Sequence, residues 1–180
     1  MIVCGIDLSL AKTGLVVLEE GGRVLSASLI KSKPCGDLPI DETRRIKKII
    51  EDVFEKIDSI LPDTDPTLIA IEGLAFMAQG TSLTQLAAAH HLVRFLCDEF
   101  GWPFVVIFPT TLKKFASGSG KTEKDQLSMI AYRDYSFEGG ENNIVDAFFL
   151  AATGLALLGS PIKKLGAPQQ EVIKLLSKQL

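Results

Sequence analysis

Three short β-type runs joined by tight turns open this chain, and that opening restricts what the rest can build. Ile2–Leu8 is apolar up to an aspartate near its end, Gly14–Glu19 is a second apolar run, and Val24–Ile30 alternates like a half-exposed strand. Glu20-Gly-Gly-Arg23, between the last two runs, is a turn signal. Strands joined this closely pair antiparallel, because a parallel neighbour needs a crossover of about a dozen residues or more. From Asp41 the pattern changes, and apolar residues at Ile46, Ile49, Ile50, Val53, Phe54, Ile57, Ile60 and Leu61 recur at helical spacing. A short buried strand, Thr67–Ile71, runs directly into Glu72; residues 82–100 read as a second helix and Phe104–Phe108 as a further strand. A short helix over Thr111–Phe115, one from Lys124 to Tyr132, a nearly all-apolar one over Asn143–Leu158 and a short amphipathic C-terminal helix complete the order. Strand-rich first and alternating later, the order implies an α/β fold: a mixed five-stranded sheet flanked by helices, antiparallel at first and parallel afterwards. With 180 residues, 47% apolar and 23% charged, the chain suits one domain with a real core. Residues 1–158 read as that domain and 159–180 as a basic helical tail.

Three acids interrupt this pattern where apolar residues are expected. Asp7 follows Ile-Val-Cys-Gly-Ile, Glu72 follows Leu-Ile-Ala-Ile, and Asp146 lies between Ile144-Val145 and Ala147-Phe-Phe-Leu. A charge at the end of a buried strand costs desolvation unless it is paired or binds a cation. Each acid alone has a structural explanation: Asp7 as a turn cap, Glu72 paired with a lysine, Asp146 in the first turn of a helix. Together they point to a site, because Asp7 and Glu72 both end buried strands and ligands of α/β sheets bind at strand ends. Oxygen ligands of this kind select magnesium or manganese. Two such ions about 3.5–4 Å apart can activate a water and stabilise the leaving oxygen in phosphodiester cleavage.

Composition excludes several classes. The net charge is −3, so contact with nucleic acid rests on local patches. From Thr110 to Arg133 five basic residues face two acidic ones, with Lys113, Lys114, Lys121 and Lys124 around the pliable Ser117-Gly-Ser-Gly120; from Pro161 to Leu180 four lysines face Glu171. The first segment reads as a phosphate-contacting surface, although its GSGK lacks the spacing of a nucleotide-binding P-loop. Arg44, Arg45, Lys47 and Lys48 are offset by neighbouring acids and read as an ordinary charged face. His90 and His91 lack a metal-like spacing and read as structural or interfacial, and Trp102 as a turn anchor. Cys4, Cys35 and Cys97 form no CxxC or Cys/His cluster and read as reduced thiols of a cytoplasmic protein. The longest apolar stretch, Ala147–Leu158, is short of the ~20 residues of a membrane span, and no signal peptide is indicated.

Gly5-Ile-Asp7-Leu-Ser-Leu-Ala-Lys-Thr-Gly14, Ile71-Glu72-Gly-Leu-Ala-Phe76 and Asn143-Ile-Val-Asp146-Ala147 resemble the three acidic motifs of RuvC-type Holliday-junction resolvases. The segment from Pro109 through Gly118-Ser-Gly120-Lys-Thr-Glu-Lys124-Asp-Gln126 is similar to a further stretch of that family, and the resemblance spans roughly residues 2–155 in order. It implies an RNase H-like (retroviral-integrase superfamily) fold, a homodimer, and magnesium-dependent nicking of a four-way DNA junction. On the same resemblance Asp7, Glu72 and Asp146 would ligate two magnesium ions, with manganese able to substitute. Lys113 and Lys124 would face the scissile phosphate or the DNA backbone, and Phe76 would pack against bases, one position later than the family pattern has it. The small-residue run Ala87-Ala-Ala89 lies in a helix that corresponds to the family's dimerisation helix. One departure concerns the last motif, Asp-x-x-Asp in bacterial members, where this chain has Asn143. Asparagine offers a carbonyl oxygen but one charge fewer. Glu141 or Asn142 fills the fourth position instead if the helix start is shifted. Two alternatives stay open at this point: a non-catalytic branched-DNA-binding module with a degenerate metal site, and an ATP-binding protein of the actin or sugar-kinase type.

Overall fold

The computed structural model describes residues 1–34, 36, 38–74 and 81–180, with only the backbone described at Thr81 and Ser82; Cys35 and Phe76 lie outside the described residues. Five strands, β1 (Ile2–Asp7), β2 (Lys12–Glu19), β3 (Arg23–Lys31), β4 (Leu68–Glu72) and β5 (Phe104–Ile107), form one sheet in the order β3-β2-β1-β4-β5. The first three pair antiparallel, whereas β4 joins β1, and β5 joins β4, in parallel. The helices are α1 (Pro39–Ile60), α2 (Thr81–Glu99), α3 (Pro109–Ser117), α4 (Lys124–Tyr135), α5 (Asn142–Leu157) and α6 (Ala167–Leu176). The mixed five-stranded sheet and its helices follow the order expected from the sequence. The first helix starts two residues earlier, at Pro39, whose fixed φ suits the first helical position.

β1 is central and covered on both faces, which is why it is apolar as far as Asp7. Its alternate residues serve two cores. Cys4 and Ile6, with Ile69 and Ile71 of β4, face α1 and α2; Val3, with Leu68 and Ala70, faces α5. Cys4 and Cys97 are buried free thiols in the first of these cores, their pKa values pushed up to about 12 chiefly by burial. By the same alternation Asp7 and Glu72 point to the α5 side. Helix α5 is apolar all round because the sheet covers one side and α3, α4 and α6 flank it; every residue from Val145 to Ala156 is buried. The segment after α5 docks on this core too, with Val172 and Leu176 buried and Ile162, Leu165 and Ile173 packed against it. Gln179 closes the open edge of β5, its amide accepting from the Val106 N–H and donating to the Val106 carbonyl, both at 3.0 Å. Among the described residues no helix is long and apolar enough to cross a membrane.

Two glycines let α5 lie directly on the sheet. A Cβ at Gly5 would stand 2.0 Å from the Ala147 carbonyl oxygen, and one at Gly14 would stand 2.0 Å from the Asn143 carbonyl oxygen. The obstacle is helix backbone, which cannot swing aside as a side chain could. Gly14→Ala is therefore expected to lift the first turn of α5 and destabilise the protein by roughly 1–3 kcal/mol or more. Urea unfolding of the variant measures this; an unchanged midpoint would mean the helix start yields freely.

Candidate active site

The fold gathers the three outlying acids. In the parallel β1–β4 ladder Ile6 pairs with Ile71, so Asp7 and Glu72 are the next residues on neighbouring strands, roughly 5 Å apart in the sheet and on one face. Asp146 reaches the same place from the second turn of α5, one turn later than the sequence suggested because the helix starts at Asn142, and the glycine contacts hold that helix on this face. Asp7 and Asp146 are almost fully buried, at 4% and 6% exposure. Burial and then the charge of Asp7, with a smaller contribution from Asp146, push the Glu72 carboxyl up to about 9. Glu72 and Asp7 also lie within hydrogen-bonding reach of each other, which requires a proton on one of them. Asp146 is raised as well, by burial first and Asp7 second, with Lys124 opposing. Three carboxylates are thus held together without enough positive charge to neutralise them.

Two other side chains meet this group. Asn143 donates from Nδ2 to Asp7 Oδ2 at 2.7 Å. Lys124, the first residue of α4, extends Nζ to within 3.4 Å of Asp146 Oδ2. Burial alone would lower the Lys124 ammonium, but Asp146 and Asp7 outweigh it and hold the ammonium above the usual lysine range. Helix α5 begins at Asn142, with Glu141 as its N-cap, and this arrangement separates the candidates for the fourth position. Glu141 is drawn away to Lys12, at 3.0 Å, and Asn142 is exposed, so Asn143 is the one that touches Asp7. The Lys12–Glu141 pair also ties the start of β2 to the start of α5.

The remaining basic residues divide. Lys113 on α3 is close enough to lower the Asp146 pKa. Lys121 is exposed in the turn between α3 and α4. Lys114 turns aside to pair with Glu171 of α6 at 2.6 Å. Ser117 and Thr122 hydroxyls bond across that turn, so the Ser117–Gly120 stretch is internally braced. The histidines stand apart from the acids. Burial, then Arg94 and His91, push the His90 pKa down to about 4, and the His91 ring contacts the Arg94 guanidinium. Trp102 stacks on Phe54 and donates to Asp65 at 2.8 Å, as an anchor would. The Lys12–Glu141 bridge and the Gly14 contact had no separate reading in the sequence, although a glycine within a strand is a known sign of close backbone approach.

Among the described residues every metal-ligand donor at the site is oxygen: three carboxylates and, if its amide turns, the Asn143 carbonyl. That set and its surplus negative charge fit a hard divalent cation. Among the described residues no group of three or more Asp, Glu, His or Cys side chains is placed as it would be around a metal ion, so the acids must draw closer to hold one.

Comparison with known proteins places these features in one family. The family model "Crossover junction endodeoxyribonuclease RuvC" matches residues 3–153. The RuvC protein of Synechococcus sp. (strain WH7803) is 26% identical over 156 residues, covering 86% of this chain and 97% of that protein. That of Bradyrhizobium diazoefficiens is 27% identical over 129 residues, covering 71% of this chain and 70% of that protein. Among solved structures, Thermus thermophilus RuvC superposes with a TM-score of 0.71 at 22% identity, over 89% of this chain and 98% of that one. The Fowlpox virus resolvase bound to Holliday junction DNA gives 0.53 at 14% identity, over 88% and 99%. The RNase H-like fold expected from the motifs is borne out by these neighbours. Its strand-end carboxylates, its sheet order and a match over most of its length agree: this chain belongs to the crossover junction endodeoxyribonuclease RuvC family of metal-dependent nucleases.

Proposed function

We propose that this chain is a structure-selective endodeoxyribonuclease that nicks four-way DNA junctions, working as a homodimer with divalent cations. The observation that carries the reading is the meeting of Asp7, Glu72 and Asp146 at one sheet end beside Lys124. Asp7, Glu72 and Asp146, assisted by Asn143, would hold two magnesium ions, with manganese able to replace them. Such ions, when bound, make water a stronger nucleophile at neutral pH and offset charge on the leaving oxygen. The side chains supply the rest. Asn143 fixes the orientation of the Asp7 carboxylate through its Nδ2–H bond. Lys124 exchanges Asp146 for a phosphate oxygen as charge builds there. Lys113 and Lys121 add backbone contacts on the same side. Water adds to phosphorus as the P–O3′ bond breaks, leaving a 5′-phosphate and a 3′-hydroxyl.

The homodimer reading draws support from α2. Its inner face is buried, but Leu92 and Phe95 stand 43% and 56% exposed beside the small, exposed Ala88. An apolar stripe of this kind suits an isologous contact with a second copy. A two-fold axis would then set two active sites against symmetrically related strands of a junction.

Incubating the protein with a labelled four-way junction and a matched linear duplex, with magnesium or with EDTA, tests the proposal. Paired symmetric nicks in the junction alone, dependent on metal, are expected. Tight binding without nicks would favour the second reading, a branched-DNA-binding module whose metal site has degenerated. The observation on its side is Asn143, an amide occupied with Asp7. Asn143→Asp separates the two further: restoring a fourth carboxylate should preserve or raise the nicking rate, by up to about tenfold. A large fall would show that position 143 serves by donating to Asp7, not by ligation.

A further inference from the structure

A second basic surface lies around the β3 edge of the sheet, away from the α3–α4 segment. The last residues of β3 and the loop after it bring Lys31 and Lys33 against the first turns of α1, which carry Arg44, Arg45, Lys47 and Lys48. They line a groove of about 520 Å³ whose acids among the described residues are Glu51 and Asp52, a surplus of four positive charges among those residues in a chain of net −3. In sequence the four α1 cations look balanced; the fold adds two lysines that arrive from another element.

The cations of this groove have different duties. Arg45 is structural, since its guanidinium donates to the Leu10 carbonyl and to Ser32 Oγ. Lys47 and Lys48 are held by Glu51 and Asp52 one turn on, and Arg44 stands 3.9 Å from Asp41. Lys31 and Lys33 are exposed and have no acidic partner among the described residues. Exposed local pairs such as those of Lys47 and Lys48 hold weakly and exchange readily for phosphate.

Position gives the surface its use. Lys31 pairs across the ladder with Lys12, and Asp7 pairs with Gly14 two residues further along the same strand. The groove therefore opens at the sheet end that carries the acids, with β3 two strand spacings, roughly 10 Å, from β1. DNA phosphates recur at about 3.4 Å per strand, so duplex leaving the acids across this edge brings several within reach of the lysines. We propose that this groove grips the phosphate backbone of a duplex arm, outside the reacting strand, through Lys31 and Lys33. The inference rests on the nuclease reading for its DNA partner but assigns residues that take no part in the chemistry.

The test compares the whole protein with a Lys31→Ala/Lys33→Ala double variant on four-way junction and plain duplex across a salt series. Affinity for DNA should fall about tenfold at moderate salt, and the slope of log affinity against log salt should become shallower by roughly two, one per lost phosphate contact. The nicking rate at saturating junction should be unchanged. Unaltered affinity and slope in a variant with normal thermal unfolding would overturn the proposal, as would a fall in the saturated rate equal to the loss in affinity. Lysine-dependent binding to phosphatidylglycerol vesicles with DNA affinity untouched would overturn it in favour of a membrane surface. If the parent binds plain duplex through these lysines yet neither prefers nor nicks junctions, the groove stands and the nuclease reading falls.

Discussion

Asp7→Asn is expected to slow junction nicking by on the order of 10³-fold or more while leaving junction affinity within about threefold. The rate loss follows from removing a carboxylate at the middle of the site, where a cation contributes several kcal/mol of transition-state charge stabilisation. Folding should survive, because the new amide can turn its carbonyl oxygen to accept the Asn143 Nδ2–H that Asp7 now accepts at 2.7 Å. Affinity should survive because Asp7 is only 4% exposed and Lys124, proposed to contact phosphate, keeps its place beside Asp146. Single-turnover nicking and gel-shift titration, the latter in EDTA, measure the two quantities separately. A parallel loss of binding would refute this division of roles.

The second large effect concerns stability. Glu72 takes up its proton near pH 9 in the folded chain against its ordinary 4.5, and Asp146 is displaced in the same direction. Between those limits the native state binds more protons than the unfolded state, so stability without divalent cations falls as pH rises through that window. Glu72→Gln removes the carboxylate and keeps a group able to donate to Asp7. The variant should be more stable than the parent by roughly 1–3 kcal/mol at about pH 8 in EDTA, the range for relieving a buried, poorly satisfied polar group. It should also flatten the pH dependence and abolish nicking. Magnesium should raise the parent's melting temperature more than the variant's. Thermal unfolding at several pH values, with and without magnesium, reads all of these without reference to activity. A variant less stable than the parent under metal-free conditions would show that the fold does not penalise the Glu72 carboxylate.

How much of this the sequence carries depends on the distance over which each signal acts. Strand and helix order was legible because local periodicity sets it, and the outlying position of Asp7, Glu72 and Asp146 was legible because apolar neighbours flank each one. Their meeting required the parallel pairing of β1 with β4, which no local pattern specifies; only the motif resemblance pointed there. The choice among Glu141, Asn142 and Asn143 could not be made from spacing, since one residue of helix start decides it. In the fold the Lys12–Glu141 pair, 129 residues apart in sequence, draws Glu141 aside, and Asn143 is the residue that touches Asp7. Lys114 was grouped with the phosphate-facing lysines by charge count, which could not show the exposed partner, Glu171, that the last helix brings to it. The two lysines of the β3 edge were missed for the same reason: a balanced count along one helix says nothing about charges brought in by another strand.

The seating of α5 on β1 and β2 has a consequence for synthesis. The Asp7–Asn143 bond spans 136 residues, and the acids of the two N-terminal strand ends gain their third member only from α5. At translation rates of about 5–20 residues per second, the ribosome completes that interval on the order of 10 s after Asp7 is made. During that time the opening hairpins can pair, but the central strand lacks its cover on the α5 face and the carboxylates lack their third member. On the proposed nuclease reading, a nascent chain is unarmed near nucleic acid until α5 has emerged, with the timing set by where in the gene the last acid is encoded.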